Sequence, residues 1–157
     1  MDEDEIVRRV GELAKTDALP APASSEVVDE VERRIGFQLP RLLKRLYLEA
    51  ANGGFGPDDG VLGLPGGEWN GDWSDILHIH EAIQSDPDED VPPYFIWAYE
   101  WGCGIWSLID SREPSGPMWA WDPNDGLENA LFSLDMNFKD WMSRALAGEL
   151  ELPERGE

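Results

Sequence analysis

A chain of 157 residues is long enough to bury a substantial core as one domain, and its 41% hydrophobic and 10% aromatic content excludes disorder despite the high charge. Thirty-three acidic against twelve basic residues give a net charge of −21. That excess argues against nucleic acid and anionic membrane surfaces as partners and suits a basic protein, whose encounter opposite fields would accelerate.

The charge is unevenly spread. Residues 1–45 carry eight basic and ten acidic residues, whereas residues 46–138 carry eighteen acidic residues and one basic residue, Arg112. The asymmetry predicts a functional acidic face rather than a merely solubilising surface. Eight Trp residues must be mostly core, because a surface cannot carry many of them safely. The single Cys103 permits no internal disulfide and fits a reducing compartment. The chain starts Met-Asp-Glu-Asp-Glu, with no signal pattern, and no apolar run reaches transmembrane length, so a cytoplasmic protein is expected.

Ile6, Val7, Val10 and Leu13 recur at helical spacing and predict a short amphipathic helix over 6–14, with acidic residues at its positive end. Leu19 to Ala23 breaks the chain. Ser24 or Ser25 caps a second helix with Val27 or Val28, Val31 and Ile35 on its apolar stripe, and Gly36 follows its end. Pro40 suits the first turn of a third helix, which buries Leu42, Leu43, Leu46 and Tyr47 and turns Arg41, Lys44 and Arg45 outward. Asn52-Gly53-Gly54 stops it.

Beyond residue 54 the periodicity changes. Val61 to Leu64 is expected to be a strand and 65–74 a Gly/Trp-rich loop. Asp75 caps a helix carrying Ile76, Leu77, Ile79 and Ile83, and 85–93 is an acidic surface loop. Tyr94 to Tyr99 and Ile105 to Asp110 flank Gly102-Cys103-Gly104 and predict a hairpin. Met118 to Trp121 adds a strand, and a final helix buries Phe138, Trp141, Met142 and Leu146. The expected architecture is one α+β domain over 1–157, a twisted, mostly antiparallel sheet packed against N-terminal and C-terminal helices.

The segment Glu32-Arg33-Arg34-Ile35-Gly36-Phe37-Gln38-Leu39-Pro40 leads into a leucine-rich helix ending in Asn52-Gly53-Gly54-Phe55-Gly56-Pro57, followed by Gly60-Val61-Leu62-Gly63-Leu64. This order closely resembles the SUKH superfamily, which includes the yeast cell-wall-assembly regulators and many bacterial immunity proteins. Trp101-Gly102-Cys103-Gly104 before a strand ending in Asp110 is similar to that family's central hairpin. Gly116-Pro117-Met118 with Trp121-Asp122 resembles its next strand, and Phe138 to Trp141 the start of its final helix. The likeness covers about 24–148 and leaves 1–23 as an extra helix and linker. It implies the same α+β fold and protein binding without catalysis. Bacterial members commonly neutralise a toxin, often a nuclease, whereas the yeast relatives act as regulators or scaffolds.

Little in the sequence points to chemistry. His78 and His80 lie two apart, so they face different sides of a helix and cannot form a zinc pair; both are expected to be partly exposed. Asp122-Pro123-Asn124-Asp125-Gly126 lacks the glutamate of a calcium loop and reads as a turn. Cys103 has no nearby cation to stabilise a thiolate and is expected to be a buried small side chain. No glycine loop is followed by Lys and Ser or Thr, and the carboxylates are too numerous for any acid–base pair to stand out. No catalytic residue, cofactor or metal is expected.

The most suggestive local feature is Glu68-Trp69-Asn70-Gly71-Asp72-Trp73, with two large aromatics among acids. Either both indoles fold back over the sheet, or they supply buried area to a partner. The candidate partner-binding set is Asp58, Asp59, Glu68, Trp69, Asp72 and Trp73, joined near strand ends by Glu100, Trp101 and Asp122. The favoured partner is a basic, nuclease-type toxin bound by a monomer. The alternatives are a regulatory scaffold and, on the strength of the Trp and carboxylate content, a glycan-binding module or hydrolase, which would need exposed coplanar indoles.

Overall fold

The computed structural model describes residues 1–58 and 60–155. Helix α1 (Glu3–Thr16) starts where Asp2 accepts a hydrogen bond from the Glu5 N–H (2.8 Å), and three acidic residues in its first turn favour the dipole. It buries Ile6, Val7 and Val10, whereas Leu13 of the expected stripe is exposed. Helix α2 (Ser25–Ile35) has Ser24 as its cap, accepting from Val27 N–H, and ends at Gly36, whose φ of 85° is the left-handed conformation that glycine adopts freely. Pro40 stands just before α3 (Arg41–Glu49), which buries Leu42, Leu43, Leu46 and Tyr47. Asp75 accepts from His78 N–H and opens α4 (Ile76–Ser85). Asn137 and Asp140 form a reciprocal capping box at the start of α5 (Phe138–Leu146).

The sheet is a four-stranded antiparallel meander in the order β1 (Phe95–Gly102), β2 (Ile105–Asp110), β3 (Pro117–Trp121) and β4 (Leu131–Asn137). Its register sorts the side chains into two faces. Tyr99, Ser107, Ala120 and Phe132 form one transverse row, and Trp141 of α5 meets Tyr99 at 5.9 Å, so α5 lies on that face. Glu100, Trp106, Trp121 and Leu131 form the neighbouring row on the opposite face, where Trp97 stands 5.6 Å from Trp106 and 5.7 Å from Trp121. Helix α5 also touches α1 and α3, and α4 joins α2 to β1. This is the expected α+β arrangement, an antiparallel sheet backed by helices at both ends of the chain.

Several local expectations need correcting. Val61 to Leu64 is fully buried but is not a strand. Only one of its N–H groups reaches the sheet, Leu62 to Ala98 (2.9 Å), where β1 is already irregular. The others are taken by nearby loop: Val61 N–H by Phe55, Gly63 N–H by Glu68 and Leu64 N–H by Asn52. Strand β4 had no place in the sequence reading. Cys103 is exposed at the β1–β2 turn with φ 54°, because a turn of that hand directs the side chain outward between two glycines. His78 is exposed as expected, but His80 is only 7% exposed; its Nε2 donates to the Pro93 carbonyl (3.0 Å), which satisfies one side of the buried ring, while Nδ1 has no hydrogen-bond partner among the described residues.

Candidate partner-binding face

Residues 52–75 run from the end of α3 to the start of α4 and carry most of the candidate set. Asn52 is 5% exposed and closes the base of this loop. Its Oδ1 accepts from Leu64 N–H (2.7 Å), its Nδ2 donates to the Leu64 carbonyl (3.4 Å), and its own carbonyl accepts from Glu68 N–H (2.8 Å). Further on, Asn70 and Trp73 exchange backbone hydrogen bonds of 3.3 and 3.2 Å, which forces a tight turn with Gly71 and Asp72 at its tip. Gly71 has φ 61°, the conformation such a turn demands.

The tip lies against the sheet row that contains Glu100: a Cβ on Gly71 would sit 3.7 Å from Glu100 Oε1. Desolvation, and then the nearby Asp72 carboxylate, push the Glu100 carboxyl above the usual carboxylate range. None of the ion pairs among the described residues involves Asp58, Glu68, Asp72, Glu100 or Asp122. The field of Asp58, Glu68, Asp72 and Glu100 is therefore not cancelled by a salt-bridged cation, whereas the Arg155 guanidinium donates to the Asp122 carbonyl (3.4 Å).

The two indoles of the loop take different roles. Trp73 is half-buried, packs against the core and meets the His78 ring edge-on at 5.2 Å. Trp69 is 64% exposed, a large apolar area beside the half-buried Glu68 and exposed Asp72. The sequence alternatives, indoles folded inward or offered outward, are thus each realised by one residue.

Asp72, Trp73 and Glu100 come together around the turn, with Glu68 and Trp69 on the same loop. Asp58 is exposed in the preceding part of that loop, and Asp59 lies outside the described residues. Trp101 is on the other face of the sheet, where its Nε1–H donates to Ser107 Oγ (2.8 Å) and its ring meets Tyr99 at 5.1 Å, an extension of the core stack. Asp122 follows Trp121 at the end of β3 and accepts from the N–H and Nδ2 of Asn124. Asn124 Nδ2 also donates to the Cys103 carbonyl (3.2 Å) and ties that corner to the hairpin tip. Sequence reasoning read Asn52 as a helix stop and missed its long-range bonds, although Asn-Gly-Gly beside Gly63 and Gly67 is a signal of close backbone approach.

Trp97, Trp106, Trp121 and Trp141 are buried and Trp101 and Trp119 half-buried, so no pair of strongly exposed indoles forms a platform among the described residues. Nor does any group of three or more His, Cys, Asp and Glu side chains among them converge as a metal set, and no helix among them is long and apolar enough to cross a membrane. A search among curated proteins finds no match. The model of the SMI1 / KNR4 family (SUKH-1) matches residues 22–144, and with more than half its length matched in the order the sequence motifs anticipate, the chain belongs to that family.

Proposed function

We propose that this protein is a non-enzymatic, cytoplasmic immunity protein, acting as a monomer, that binds and neutralises a basic, nuclease-type toxin. Its contact surface is the acidic loop centred on Trp69, with Asp58, Glu68, Asp72, Trp73 and Glu100 around it, Asp59 following Asp58 in the chain, and Asp122 at its margin; Trp101, expected from the sequence to join it, faces the other side of the sheet. The observation that carries this reading is Trp69 itself, 64% exposed in a segment with no cation from residue 46 to 111. An exposed indole makes sense as an anchor that a partner buries, and unneutralised carboxylates around it would draw a basic surface in. A guanidinium could stack on the indole and pair with the neighbouring carboxylates. Membership of the SMI1 / KNR4 family (SUKH-1) supports protein binding as the general activity.

The test begins with capture from the native cell, elution by a salt step and identification by mass spectrometry. A single basic toxin is the expected eluate; several unrelated regulators would favour a scaffold instead. With the toxin in hand, Asp58→Lys, Asp59→Lys, Glu68→Lys and Asp72→Lys combined should slow association about tenfold or more at low salt and alter dissociation much less. Association that stays at the wild-type rate at low salt would contradict the acidic-face reading.

A further inference from the structure

The loop that carries Glu68 and Trp69 has few buried side chains of its own. Pro65, Gly66, Trp69, Gly71 and Asp72 are all exposed, so side-chain burial does not fix its position. Its place is set by backbone bonds at its base, and these converge on Asn52. One carboxamide takes the buried Leu64 N–H (2.7 Å) and adds a longer bond (3.4 Å) to the Leu64 carbonyl, which also accepts from Gly67 N–H (2.9 Å). The Asn52 main chain takes Glu68 N–H, Gly63 N–H returns a bond to the Glu68 carbonyl (2.9 Å), and Asn52 N–H is anchored on Pro20 (3.3 Å).

The fit leaves no room for side chains. A Cβ on Gly67 would collide with the Asn52 carboxamide, and one on Gly63 would collide with the Asn52 carbonyl and come within 2.9 Å of Glu68 N. No other side chain reproduces the pattern. Aspartate lacks the donor, leucine leaves Leu64 N–H buried without a partner, and glutamine is one methylene too long for the space Gly67 vacates.

We infer that Asn52, seated against Gly63 and Gly67, is a positioning residue that sets where Glu68 and Trp69 stand on the acidic face. The inference rests on the reading of that loop as the partner surface. A loop held in place before binding loses less conformational freedom when the partner arrives, so the clasp favours affinity without touching the partner.

The test uses the full-length free protein, without any partner. Backbone amide exchange and the eight indole N–H signals are followed by NMR in the wild type, Asn52→Ala and Gly67→Ala. In both variants the Leu64 and Glu68 amides should exchange about tenfold faster or more. The Trp69 indole signal should move, while the Leu108 and Ile109 amides and the Trp106, Trp121 and Trp141 indoles keep their wild-type behaviour. Unchanged exchange at Leu64 and Glu68, equal acceleration in β2, or loss of the whole fold would overturn the inference and make Asn52 an ordinary structural residue. Because no partner is present, such a failure leaves the immunity reading untouched, and failure to capture a toxin leaves the clasp untouched.

Discussion

In residues 1–49 six of the eight cations face carboxylates. Arg41 meets Glu3, Arg45 meets Asp4 and Glu49, Lys44 meets Glu32, and Arg33 meets Glu30. Two of these pairs join α1 to α3, on top of the buried Ile6, Val7 and Val10. Residues 50–75 contain no cation and five acidic residues, and eight of their residues are glycine against two in residues 1–49. The first region is held by apolar stripes with charges matched across its surface. The second buries Phe55, Val61, Leu62 and Leu64, but its exposed part, residues 65–72, is held by backbone hydrogen bonds through Asn52 and close glycine contacts, and Asp58, Glu68 and Asp72 enter none of the ion pairs among the described residues. A surface whose charges are already paired offers little to a partner, whereas unpaired carboxylates beside an exposed indole are available to one.

The contrast is sharpest if one large apolar residue is removed from each region. Leu46 in α3 is 0% exposed, so Leu46→Ala should cost about 2–5 kcal/mol of stability through lost burial and the cavity left behind. Trp69→Ala removes a larger side chain but should shift stability by less than about 0.5 kcal/mol while weakening binding of the proposed toxin partner by about 2 kcal/mol or more. Denaturant midpoints and a binding isotherm on both variants check this. A Trp69→Ala protein as destabilised as Leu46→Ala would mean that the indole belongs to the core, and the comparison would collapse.

Glycine gives a smaller and opposite contrast. Gly11 lies within α1 and a Cβ there meets nothing within 4 Å, so Gly11→Ala should stabilise the protein by about 0.5–1 kcal/mol. Gly67, by contrast, is occupied space, since Asn52 fills the volume a Cβ needs. A Gly11→Ala midpoint that fell below wild type would show that the helical layer too depends on close approach at glycine.

How much of this was legible in the sequence follows the same division. In the helical layer each element has a local cause: Ser24 and Asp75 as caps, Gly36 in the left-handed conformation, and apolar stripes at helical spacing. Local causes lie within a few residues and can be read directly. The clasp joins Asn52 to Leu64 and Glu68 across a loop, and no periodicity announces a bond of that range. Val61 to Leu64 misled for the same reason: its apolar run is genuine, but its N–H groups are taken mostly by loop carbonyls and a side chain rather than by a ladder. Strand β4 was within reach, since Phe132, Leu134 and Met136 alternate with Ser133, Asp135 and Asn137. Asp135, at φ 54°, lies where the register with β3 shifts between Ser133 and Asn137, an irregularity that sequence alternation does not announce. At the candidate site the composition of the loop was legible, but which of Trp69 and Trp73 turns outward depends on the Asn70–Trp73 turn.

The smallest expected effect tests whether the unmatched charge has an internal cost. Desolvation and Asp72 raise the Glu100 pKa, so the folded protein holds that proton more tightly than the unfolded chain does. The stability this contributes is fully present below the unfolded-state value, about 4.3, and is lost as pH rises through the folded-state value. At pH 7 the ionised Glu100 therefore opposes folding, and Glu100→Gln relieves it. Solvent screening of a half-buried group keeps the gain under about 0.5 kcal/mol. Urea midpoints for the two proteins should differ at pH 7, with the variant higher, and converge near pH 4. A difference of the same size at both pH values would assign the effect to packing rather than charge. Convergence would mean that the acidic face is slightly destabilising by itself, a cost that a basic partner removes on binding.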